Sequence, residues 1–171
     1  GGVASVRNGH STQFGLKSKA PEGERRRKLA EWVAHHDNPL LARVMVNRIW
    51  HYHFGQGLVK TPNDLGFSGG KPSHPELLDW LAAEFRSRKW SVKEMHKLIV
   101  SSATYRQGSR ANSEAQAIDA GNVYLWRRAP MRLEAESIRD SILAVSGALN
   151  PLAGGPGYRD FKMYNHKGSW V

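Results

Sequence analysis

The chain of 171 residues contains no cysteine. That excludes a disulfide scaffold, thiolate zinc sites, iron–sulfur clusters and cysteine nucleophiles. No apolar run approaches the roughly 18 residues that a membrane-spanning helix needs, so no transmembrane segment is expected. No internal repeat is visible. Neither a P-loop nor Gly-x-Gly-x-x-Gly occurs, and Gly69-Gly70-Lys71-Pro72 is a turn without the phosphate-loop spacing, so no nucleotide cofactor is expected. Gly-x-Ser-x-Gly and His-Glu-x-x-His are absent as well. The opening Gly1-Gly2-Val3 carries neither Met nor a signal peptide and reads as the start of a piece of something longer.

Acidic residues are scarce. Fifteen Asp and Glu face 25 Lys and Arg, for a net charge of +10. Such a balance suits a polyanionic partner (nucleic acid, acidic glycan or anionic lipid) and equally suits a solvated basic surface with no dedicated partner. A single domain of this length buries roughly 70% of the surface its unfolded chain exposes, without metal or disulfide.

Hydrophobic spacing predicts an all-α fold, a compact packing of about five helices. Residues 1–20 read as a flexible lead-in, 21–150 as a helical domain, and 151–171 as a Gly/Pro-rich arm or the truncated start of further structure, carrying Tyr158, Phe161, Tyr164 and Trp170. Helix one is predicted from Pro21 to His35, with Leu29, Trp32 and Val33 inward. Helix two follows the N-cap Asn38 and stops at Gly55, with Leu41, Ala42, Met45, Val46, Ile49, Trp50 and Tyr52 covering about half its circumference. A long loop, 56–74, is expected to be functional or mobile. Helix three starts at Ser73 or His74 with Pro75 in its first turn. Helix four opens on the capping box Ser91–Glu94, holds Ser101-Ser102 inside and ends before Gly108, with Val92, Met95, Leu98 and Ile99 inward. Residues 108–131 read as irregular, with an apolar patch at 123–126. Helix five spans Arg132 to Ala148, with Leu133, Ile138, Ile142 and Val145 as its core face.

Long phrases in order carry a resemblance. They include Asn38-Pro39-Leu40, Arg43 to Trp50, His53 to Val59, Pro72 to Ala82, Ser102 to Gln107 and Arg132 to Asp140. Over about residues 25 to 155 the chain resembles the first part of a C-terminal domain of unknown function in large planctomycete and acidobacterial proteins. The resemblance implies a helical domain of exported, often cytochrome-c-linked proteins. The heme-binding segment is absent here, and with no Cys-x-x-Cys-His no heme is expected. No catalytic residue carries over from the family.

Four constellations could carry chemistry. Arg43, Asn47 and His51 lie at i, i+4, i+8 on helix two, which lines them up on one face. His51 could serve as a general base, with Arg43 and Asn47 holding an oxyanion. A solvated polar face, or one bonded to neighbouring helices, explains the same pattern. Glu136 and Asp140 sit at i, i+4 on helix five. With Asp64 and Asp37 they form a candidate oxygen-ligand set for a divalent cation, Ca²⁺ favoured over Zn²⁺. An Arg–carboxylate network through Arg139 is the structural alternative. His51 and His53 stand about 200° apart on a helix and chelate poorly together, and His35-His36-Asp37 lies where helix one ends. Finally, Arg25, Arg26, Arg27, Lys28, Arg127 and Arg128 are the candidate polyanion contacts.

These residues support a metal-assisted hydrolase of a small ester or lactone. The alternative is a non-catalytic helical module that binds a glycan or a protein partner in an exported assembly. A basic nucleic-acid-binding domain ranks third.

Overall fold

The computed structural model describes residues 14–66, 68–152 and 154, and the backbone of two short strands. The first part of the lead-in and most of the arm, with Tyr158, Phe161 and Tyr164, lie outside the described residues. The chain is all-α. Seven helices occur among the described residues: α1 Glu22–Ala34, α2 Leu40–Phe54, α3 Pro75–Ser87, α4 Val92–Val100, α5 Ala103–Arg106, α6 Ser113–Ile118 and α7 Ala135–Val145. A two-residue antiparallel pair, β1 Asn165–His166 and β2 Ser169–Trp170, follows. The chain divides into two units, Gly1–Met131 and Arg132–Val171.

The first unit is built on α2. Asn38 is buried, and its Oδ1 accepts from the Leu40 N–H at 2.9 Å, satisfying a free donor of the first turn. Gly55 ends the helix at φ +81° with its N–H on the His51 carbonyl, a left-handed position that glycine adopts without a Cβ penalty. Ala42, Val46, Ile49, Trp50 and Phe54 enter the core. They meet Leu78, Leu81, Ala82 and Phe85 of α3 and Met95 and Ile99 of α4. Tyr52, expected on the apolar face, is 76% exposed. Val92 is exposed too, and α1 buries none of its residues.

The loop after α2 is part of the core. Leu58 and Val59 are each 2% exposed. Thr61 fixes the next turn, its Oγ1 donating to the Asp64 carbonyl and accepting from the Gly70 N–H. The Ser73 N–H closes the loop on the Leu58 carbonyl at 2.8 Å.

The expected fourth helix is two helices. Ser102 caps α5, its Oγ accepting from the Tyr105 N–H at 3.1 Å. A serine hydroxyl that satisfies a first-turn donor begins a new helix and ends the old one. The capping box at Ser91 is half made. Ser91 Oγ accepts from the Glu94 N–H, but the Ser91 N–H is taken by the Arg88 carbonyl and the Glu94 carboxylate turns to Arg88. Residues 108–131 hold α6, capped by Asn112.

In the second unit α7 buries no residue. Leu133, Ile138, Ile142 and Val145, expected to form a core face, are all exposed, Val145 at 92%. Helical spacing shows that residues share a face, not that anything covers it.

Candidate functional site

Two features of the first unit concentrate chemistry where α2 ends. The first is a cleft of about 290 Å³. Its apolar wall includes Trp50, Phe54, Leu58 and Val123, and Gln56 and Lys60 supply polarity. Trp50 and Phe54 stack with centroids 4.2 Å apart. Among the described residues of the lining, Lys60 is the charged one and none is Asp or Glu. Asn122 and Leu125, also in the lining, hold left-handed backbone at φ 52° and 56°. For leucine this conformation costs about 1–2 kcal/mol. The surrounding bonds enforce it: the Leu125 N–H donates to the Asn122 carbonyl, and the Asn122 side chain brackets the Arg127 backbone.

The second feature is a histidine pair. His53 Nε2 and His96 Nδ1 are 2.7 Å apart, one nitrogen donating and the other accepting. Tyr105 lies edge-on to both His53 and Phe54. The Arg128 guanidinium sits 4.0 Å over the Tyr105 ring and 5.2 Å over that of Phe54. Burial first, then the neighbouring His96 and Arg128, holds the His53 imidazole below its ordinary range. Arg128 Nη1 and Arg127 Nε are buried without a hydrogen-bond partner. Phe54 belongs both to this cluster and to the cleft wall.

The residues expected on helix two have other duties. Asn47 is fully buried rather than on a solvated face. Its Oδ1 accepts from the Val59 N–H at 2.8 Å and its Nδ2 donates to the Val59 carbonyl at 3.0 Å. Arg43 Nε donates to Asp79 Oδ1 at 2.6 Å, tying α2 to α3 and lowering the Asp79 carboxyl below its usual range. His51 is half-buried, edge-on to Tyr52. The four expected cation ligands lie on three elements, two in the first unit and one in the second. Asp64 Oδ1 accepts from the Gly66 N–H in the loop, and Asp37 joins His35 and His36 in the turn after α1. Glu136 and Asp140 lie on α7 of the second unit, both exposed, with Asp140 3.4 Å from Arg139. Of the expected polyanion contacts, Arg26 pairs with Glu22, and Arg27 and Lys28 pair with Glu31. Arg127 stacks over Trp126, and both Arg127 and Arg128 are half-buried.

His96 was missed as a site residue, whereas Tyr105 is a contact that the binding-module reading names. His96 is 43 positions from His53, and helical periodicity links nothing over that distance. The available signal was local: each histidine adjoins a core residue of its own helix, Phe54 and Met95.

No helix among the described residues is long and apolar enough to cross a membrane. Comparison with the curated proteins and with the solved structures finds no match. A family model described as PSD1, a protein of unknown function (DUF1553), matches residues 25–170, and the chain belongs to that family.

Proposed function

We propose that the first unit is a binding module that takes a small acidic glycan unit into the cleft at the end of α2. The observation that carries this reading is the lining: an apolar wall with Lys60 and Gln56 and, among the described residues, no carboxylate. A sugar ring has an apolar C–H face for such a wall, and its carboxylate has a cationic counterpart in Lys60. A volume near 290 Å³ lies at the small end of ligand pockets and suits one ring. The left-handed Asn122 and Leu125 add support, since backbone strain gathers at binding sites. The test is an amide NMR titration with glucuronate, glucose and N-acetylglucosamine. Glucuronate is expected to move the amides of Gly55, Gly57 and Gly121, less so after Lys60→Ala and not at all after Val123→Trp. No movement with any of the three sugars, from folded protein, removes the reading.

One observation favours a second reading, hydrolysis of a small ester. The His53 imidazole is held below its ordinary range, His96 is within hydrogen-bond distance, and the Arg128 cation is close by. A neutral imidazole oriented by a second ring is the arrangement a general base needs. Turnover of chromogenic esters that vanishes in His53→Ala would support it, and equal rates in the two proteins would remove it.

A further inference from the structure

The turn between α1 and α2 places three donor groups together: His35, His36 and Asp37, with ligand-capable atoms all within 4.8 Å of one another. His36 Nε2 is 3.0 Å from Asp37 Oδ1, and His35 Nδ1 is 3.7 Å from Asp37 Oδ2. The two imidazole centroids are 4.4 Å apart. We propose that this turn is a binding site for a borderline divalent transition metal ion, with Zn²⁺ as its representative.

Three observations carry the proposal. The first is spacing. Zinc takes nitrogen and oxygen ligands at about 2.0–2.2 Å, and in a tetrahedron such atoms stand roughly 3.3 Å apart. The separations of 3.0 and 3.7 Å, to the two oxygens of the Asp37 carboxylate, lie near that value, and side-chain rotation in this exposed turn closes the set from its 4.8 Å limit. The second is donor type. Two imidazoles with one carboxylate match zinc, copper and nickel, whereas calcium takes six to eight oxygens. The third is the anchoring of the turn. Asn38, 4% exposed, donates from Nδ2 to the Trp32 carbonyl and from its backbone N–H to the His35 carbonyl. Arg86 of α3 donates to the His36 carbonyl at 3.1 Å. The backbone bearing the donors is thus held at both ends, so less ordering is needed on binding.

An existing contact of His35 must yield. His35 Nδ1 accepts from the Asp37 N–H at 3.2 Å, a bond at the long limit, and the metal takes that lone pair in its place. Three protein ligands leave a coordination position for water or an outside ligand. The site is independent of the cleft and stands or falls without it.

The test is calorimetric titration of the full chain with Zn²⁺ at pH 7.5, repeated with Ca²⁺. The expected result is one Zn²⁺ per chain at micromolar affinity, weakened at least tenfold by His36→Ala and by Asp37→Asn, with no Ca²⁺ uptake. Both side chains are exposed, and circular dichroism checks that the variants stay folded. Absence of Zn²⁺ uptake at 100 µM overturns the proposal. So does uptake that the double variant His36→Ala/Asp37→Asn retains, because the ion is then held elsewhere.

Discussion

Asn47 holds Val59 by both of its backbone groups. The carboxamide oxygen accepts from the Val59 N–H and the carboxamide nitrogen donates to the Val59 carbonyl, in a site where Asn47 is fully buried and Val59 2% exposed. One side chain thereby satisfies two loop groups that no water reaches.

Replacing Asn47 by Leu leaves the Val59 N–H and C=O buried without partners. Each such orphan costs about 1–3 kcal/mol, so the variant is expected to lose about 3 kcal/mol or more. Urea unfolding measures it. A loss below about 1 kcal/mol would show that the loop finds other partners.

Gly57 is the next position to probe. A Cβ there would stand 2.7 Å from the Val59 carbonyl oxygen and 2.8 Å from Asn47 Oδ1. Gly57→Ala must therefore push the latch apart and is expected to cost about 1–3 kcal/mol. It should also be non-additive with Asn47→Leu, because both act on the same bonds, and a double-mutant cycle reads this directly.

Stability should fall in mild acid through His53. Its folded-state pKa is depressed, so the unfolded chain takes up a proton that the folded chain resists. Well above pH 6.5 both states are neutral and nothing changes. Below it the folded state is disfavoured increasingly until its own lower pKa is passed. Wild type should lose more Tm between pH 7.5 and 5.5 than His53→Gln does. Parallel losses would mean the pair does not couple to folding.

Arg43→Ala should do little at neutral pH. Asp79, its partner, is 57% exposed, and such pairs contribute about 0–1 kcal/mol. What little it gives is lost as acid protonates Asp79. A catalytic Arg43 would show a large rate effect with this same small change in stability.

The helical skeleton was legible because its signals are local. Asn38, Gly55, Pro75 and Ser91 each mark a helix end through bonds with nearby backbone or a fixed dihedral angle. Ser102 misled because a mid-helix serine and a capping serine read alike until the Tyr105 N–H is located. Helical periodicity places Asn47 on the polar arc of α2 and left open whether that arc is solvated or bonded to neighbours, because the loop that covers it lies outside the helical period. The apolar patch at 123–126 was visible, yet its place in the cleft depends on the left-handed Asn122 and Leu125, which no glycine announces. The His53–His96 contact joins two helices and was beyond any single-helix pattern.

The Asn47 latch also bears on how the chain folds. Its partners are 12 residues apart, and loops of that length close in about 10–100 ns. The α2–loop–α3 segment can therefore assemble on contacts that are near in sequence, and such contacts favour rapid folding. The pairing of His53 with His96 spans 43 residues and carries a larger closure entropy. Of the two contacts, the latch therefore carries the smaller closure cost.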